Sequence, residues 1–141
     1  VTVVTTRSLA GRPVGMTANS FTSVSLVPPL VSVNVDRQAE MHGHLSEARR
    51  FVVNILGLEQ EALSRRFAGD HADKFEGVGF RETGQGMPVL DGVLAWFECE
   101  PHAAFPAGDH TIFVGRAVDG GAREGRPLYY YRGGYLDTPA R

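Results

Sequence analysis

Five histidines, one cysteine and scattered carboxylates are the groups in this chain that could move a proton, attack carbon or hold a metal. Their spacing favours none of these chemistries. His42 and His44 form a His-x-His pair on a segment that reads as helix, where neighbours two apart face different directions. No second ligand pair lies nearby, so a solvated helix surface is the better reading than a metal site. Asp70, His71 and Asp73 follow an expected helix end and read as polar loop. Cys99 sits between Glu98 and Glu100 in an apolar run, with no cation beside it to favour a thiolate, and reads as a small core residue. Gly84-Gln85-Gly86 runs into Met87-Pro88 rather than opening a helix, so no dinucleotide fingerprint is present. A phosphate loop ending in lysine and a nucleophile elbow are also missing. If the chain is an enzyme, something other than its side chains carries the chemistry.

Four stretches still place polar groups where a plain core would not. Gly15–Phe21 (GMTANSF) ends a strand in small residues whose backbone can approach a flat group closely. Ser32–Asp36 (SVNVD) carries a polar face. Asn54 interrupts the apolar run Phe51–Leu56, and a buried amide without partners costs about 1–3 kcal/mol. Gly108–Gly115 (GDHTIFVG) starts a strand with His110, whose ring could project into a mouth. Each has a plainer explanation: Asn54 serving a neighbouring backbone, His110 at a half-exposed turn, the Ser/Thr alternation a wet sheet face. Taken singly, the plainer explanation is favoured in every case.

The elements that must position these residues are mostly strands. Val1–Thr6 is β-branched throughout, Gly11–Pro13 supplies a turn and Val14–Ala18 returns, predicting a hairpin. In Leu30–Val35 the valines alternate with Ser32 and Asn34, a period of two that separates the faces. A helix is predicted over Gln38–Arg50, weakened by Gly43 by about 1 kcal/mol. A buried strand follows at Phe51–Leu56, then a better helix at Glu59–Ala68, with acids in its first turn, Arg65 and Arg66 near its end and Gly69 as a stop. Gly77–Gly92 reads as glycine-rich loop. Val93–Ala104 and His110–Val118 read as long strands, and Pro127–Tyr131 as a last one. Short connections and the missing βαβ rhythm predict a mainly β chain, a closed β-barrel with two short helices outside it.

The whole chain bounds these readings. Its 141 residues, 43% apolar, suit one domain spanning 1–141, and a net charge of −2 offers no basic footprint for nucleic acid. No apolar run is long enough to span a bilayer. A lone cysteine and no secretory leader suit a reducing, cytoplasmic setting. The chain opens on VTVVTT without an initiator Met, so further residues are expected before it.

Taken in order, GMTANSFTSVSL-x-PPL (Gly15–Leu30), FVVNIL (Phe51–Leu56), DKFEGV (Asp73–Val78), GDHTIFVGR (Gly108–Arg116) and YYRGGY (Tyr130–Tyr135) resemble the flavin reductase-like family. Its members are small reductase components of two-component flavin-dependent monooxygenases. The resemblance implies a flavin-binding split barrel and a homodimer with flavin near the interface, while the charge balance and the lack of a long apolar run predict no nucleic-acid or membrane partner. It implies FAD or FMN as the flavin, NADH or NADPH as the reductant, and a partner monooxygenase that receives reduced flavin.

Carried over residue by residue, the resemblance places Met16, Thr17, Ala18, Asn19 and Ser20 along the isoalloxazine edge. Ser32, Val33 and Asn34 would touch the ring or ribityl chain, with Asp36 beyond them. Phe51 and Asn54 would close another side, and Lys74 and Phe75 would lie nearer the phosphate or adenine. His110 would be the catalytic residue on the open flavin face, with Arg132 and Tyr135 helping to hold the nicotinamide nucleotide. Two positions depart from the family pattern. Val27 stands before Pro28-Pro29 where Asp is common. Arg37 is followed by Gln38, Ala39, Glu40 and Met41 where the family commonly has two hydroxyl residues, which removes phosphate donors and adds a carboxylate. The implied activity is an NAD(P)H:flavin oxidoreductase; a non-catalytic flavin carrier is the alternative.

Overall fold

The computed structural model describes residues 1–137. Strands β1 (Thr2–Arg7), β2 (Pro13–Ala18), β3 (Thr22–Leu26) and β4 (Pro29–Asp36) lead into helix α1 (Glu40–Glu47). Strand β5 (Phe51–Ile55), a 3₁₀ turn and helix α2 (Glu61–Ala68) follow. The chain continues through β6 (Phe80–Glu82), β7 (Pro88–Leu90), the long pair β8 (Ala95–Ala107) and β9 (His110–Ala122), and a final hairpin, β10 (Tyr129–Tyr131) and β11 (Gly134–Leu136). Seven strands form one antiparallel sheet in the order β2-β1-β5-β8-β9-β4-β3.

That ladder corrects the expectation of a closed barrel, because β2 and β3 are its two edges and do not pair with each other. They are nevertheless consecutive in the chain, joined by Asn19–Phe21 alone. A linker of that length spans at most about 14 Å, so the sheet must curl until its edges approach. Ser20 fastens the gap. Its hydroxyl donates to the Asn34 carbonyl at 2.9 Å and accepts from the Asn34 amide at 2.9 Å. The result is a barrel that is split rather than hydrogen-bonded all round.

Cores lie on both faces of the sheet. One gathers Val4, Val33, Val35, Phe51, Val53, Cys99 and Phe113 under Met41 and Leu45 of α1. The other gathers Val3, Val52, Leu56, Val89, Leu90 and Leu128 under Phe67 of α2. Strands β1 and β5 run between the two, which is why TVVT and FVVNI are buried on both faces.

Several boundaries depart from the sequence reading for local reasons. Helix α1 is shorter than Gln38–Arg50: Asp36 accepts the Gln38 amide at 2.8 Å in a turn, and Ala48 is already extended. Gly77–Gly92 contains the β6–β7 hairpin, turned at Gly86 (φ 78°). Buried Glu98 anchors that hairpin by accepting from the Thr83 hydroxyl at 2.6 Å, with Arg50 alongside. Strand β3 is exposed along most of its length, Val24 and Leu26 included, so their alternation with Ser23 and Ser25 marks no buried face. His42, expected on a solvated surface, has its Nε2 2.8 Å from the Thr111 hydroxyl and its ring edge-on to Phe113.

Candidate functional site

A cleft of about 770 Å³ is bounded by three segments. The β1–β2 turn and most of β2 (Ser8 to Thr17) form one wall, α1 from Ala39 to His44 a second, and the end of α2 through Phe75 the third. Local bonds shape the third wall. The Arg66 guanidinium folds the loop after α2 back on itself by donating to the carbonyls of Lys74 (2.6 Å), Glu76 (2.7 Å) and Asp73 (3.2 Å). The Lys74 ammonium donates to the Phe67 carbonyl at 2.9 Å. Phe67 and Phe75 meet edge to face, 5.0 Å between centroids. Together with Val14, Met16 and Met41 they make an apolar floor.

The rim is charged. Arg12 and Lys74 share the lining with Glu40, Asp70 and Asp73, and His44 and His71 stand among them. Burial pushes the Lys74 ammonium below its usual range, and the charges of Glu40 and Asp70 partly restore it. His44 Nε2 is buried without a hydrogen-bond partner, 3.6 Å from a Glu40 carboxylate oxygen. Among the described residues no cluster of His, Cys, Asp or Glu could hold a metal ion.

The expected site residues do not converge on one place. Met16, Thr17, Lys74 and Phe75 line the cleft. Ala18 and Asn19 border a second hollow of about 280 Å³ with Phe21, Tyr129 and Tyr130. Asn34 and Asp36 are exposed along β4, where Ser32 is buried. Val33 and Asn54 have no exposed surface and Phe51 keeps 2%, so within this single chain all three are enclosed by protein. Each is buried for a visible reason. The Asn54 amide donates to the Val3 carbonyl and the Thr5 hydroxyl, and its oxygen accepts from the Leu90 amide. Phe51 packs over Gly115, where a Cβ would lie 2.5 Å from its ring.

The small hydroxyls of the opening motif likewise serve the chain. Thr17 donates to the Ser64 carbonyl at 2.6 Å, tying α2 to β2. Ser64 in turn meets the Tyr135 hydroxyl at 2.7 Å, and the Arg65 guanidinium lies 4.7 Å above the Tyr135 ring. Arg132 is exposed at the β10–β11 turn, with φ of 50°. His110 stands outside the cleft at the start of β9, opposite Asp36 in the ladder. Its Nδ1 is 2.7 Å from the Asp109 carboxylate, and that contact holds Asp109 below the usual carboxylate range. Sequence reasoning missed Arg12, Val14, Met41, His44 and Phe67 as cleft lining. Only Glu40 carried a signal, as a carboxylate where a hydroxyl was expected.

This cleft has the size and make-up of a site for a flat organic ligand, an apolar floor with a few polar groups at the rim. The apolar Met16 and Phe75 and the charged Lys74 supply the two kinds of surface that such a ligand needs. Fold and site together define a split-barrel protein with a nucleotide-sized cleft whose floor is apolar and whose rim is charged. The chain belongs to the flavin reductase like domain family, whose model matches residues 1–139. It is 44% identical over 136 residues to the stachydrine N-demethylase reductase subunit of Rhizobium meliloti, covering 96% of this chain and 59% of that protein. It is 40% identical to the reductase component of the flavin-dependent trigonelline monooxygenase of Acinetobacter baylyi, covering 100% of this chain and 45% of the relative. The chain thus spans about half the length of these two relatives. Among solved structures, the NADH:FAD oxidoreductase of Streptomyces globisporus, in complex with NAD and FAD fragments, superposes with a TM-score of 0.92 at 37% identity, covering 98% of this chain and 84% of that one.

Proposed function

We propose that this chain is an NAD(P)H:flavin oxidoreductase domain that supplies reduced FAD or FMN to a partner monooxygenase. The observation that carries this reading is the cleft, which has an apolar floor beneath a charged rim, in a chain of the flavin reductase family. A flavin held in the cleft would supply the chemistry, as acceptor of the hydride that a nicotinamide gives up. The protein's share is position. The apolar floor excludes water beneath the ring, and Phe75, held edge-on by Phe67, keeps that floor rigid. Lys74, fixed by the Phe67 carbonyl, sets a cation at the polar end.

His110, oriented by Asp109, is the proposed catalytic residue on the nicotinamide side, with Arg132 and Tyr135 holding that nucleotide. Because His110 lies outside the cleft, this role calls for the second subunit of a homodimer. The exposed Val24, Leu26 and Val27 at the β3 edge support such pairing. The single buried Cys99 suits a reducing cytoplasm. No described helix is long and apolar enough to cross a membrane.

The test is loss of nicotinamide absorbance when purified protein meets NADH or NADPH, with FAD, with FMN and with neither. Consumption that requires one flavin is the expected result. Flavin binding without consumption would make the chain a carrier, and no flavin binding would overturn both readings.

A further inference from the structure

The cleft's charge does not match an anionic ligand well. Two cations, Arg12 and Lys74, face three carboxylates, Glu40, Asp70 and Asp73. Of these, Asp73 is committed to the loop, accepting the Phe75 amide at 3.0 Å. Glu40 accepts no hydrogen bond among the described residues, and its side chain is 90% exposed at the mouth. It is the first residue of α1, so its carboxylate already occupies the field of the helix's free amides that an incoming anion would use. Its charge also reaches Lys74, the cleft's half-buried cation. A phosphate drawn toward Lys74 therefore meets Glu40 on the way, and no hydroxyl of Gln38–Met41 compensates.

We propose that Glu40 is a specificity-determining residue of the cleft, weakening flavins that carry a phosphate tail relative to neutral riboflavin. The proposal rests on the reading of the cleft as a flavin site. Its consequence is a site that releases phosphorylated flavin readily.

The experiment titrates riboflavin and FMN by flavin fluorescence against the wild type, Glu40→Gln and Glu124→Gln, the last removing equal charge outside the cleft. Removing one charge a few ångströms from a doubly charged phosphate in watery surroundings should tighten FMN by about tenfold. Riboflavin should not respond, Glu124→Gln should change neither flavin, and high salt should shrink the FMN gain. Equal shifts for both flavins, or unchanged FMN affinity in Glu40→Gln, would overturn the proposal while leaving the flavin site standing. Failure of both flavins to bind the wild type would overturn the flavin site itself, and this inference with it.

Discussion

Replacing Asn54 with Ala separates a structural amide from a ligand-binding one. Asn54 has no exposed surface, and its side chain joins three elements through the Val3 carbonyl (2.9 Å), the Thr5 hydroxyl (3.0 Å) and the Leu90 amide (3.0 Å). Alanine leaves the Leu90 N–H buried without that acceptor, a loss of about 1–3 kcal/mol. Thr5 keeps its bond to the Pro88 carbonyl, so the two bonds to the Asn54 nitrogen add about 1 kcal/mol. The expected total is about 2–4 kcal/mol. For a chain of this size each kcal/mol lowers Tm by roughly 3–5 °C, so the midpoint should fall by about 6–20 °C. The assay is urea and thermal unfolding followed by circular dichroism, with hydrogen exchange at Leu90 reporting the orphaned amide. Flavin affinity measured well below the new Tm should be unchanged. A variant as stable as the wild type but impaired in flavin binding would refute the assignment and return Asn54 to the ligand.

Three more outcomes follow from other contacts. Gly115→Ala places a Cβ 2.5 Å from the Phe51 ring and 2.8 Å from Cys99 Cβ, and should cost about 1–3 kcal/mol in urea unfolding; a neutral variant would mean that β9 shifts freely. Burial, with Glu98 beside it, pushes the Cys99 thiol up to about 12 from the usual 9.0, so native protein should resist alkylation at pH 8 while unfolded protein reacts. Because the folded state resists losing that proton, this contribution to stability is complete below pH 9 and is lost as pH rises toward 12; rapid labelling of native protein would contradict the burial. His110→Ala should slow flavin reduction much more than it weakens flavin binding, read by stopped-flow reduction beside fluorescence titration, and equal losses would remove it from the nicotinamide side.

What the sequence determined by itself was local. Alternation in Leu30–Val35, the run at Phe51–Leu56 that only Asn54 interrupts and the acid-to-base polarity of α2 each state an element within a few residues, because side-chain period and helix-end chemistry act over short range. Motif order was enough to name the family. The short strands β6, β7 and β11 were illegible, since three residues show no period and their pairing is decided by partners elsewhere in the fold. The destination of each polar group was equally hidden. Thr17, Ser20 and Asn54 look alike in sequence to residues that hold a ligand, yet the fold brings Ser64, Asn34 and Leu90 to them. Conversely, nothing local marks Arg12, Phe67 or His44 as neighbours. They share a cleft only because the sheet curls and two helices close over its opposite faces. Hydrogen-bond capacity is a property of a residue, but whether the chain or a ligand uses it depends on contacts far apart in sequence, and the tertiary structure alone supplies those.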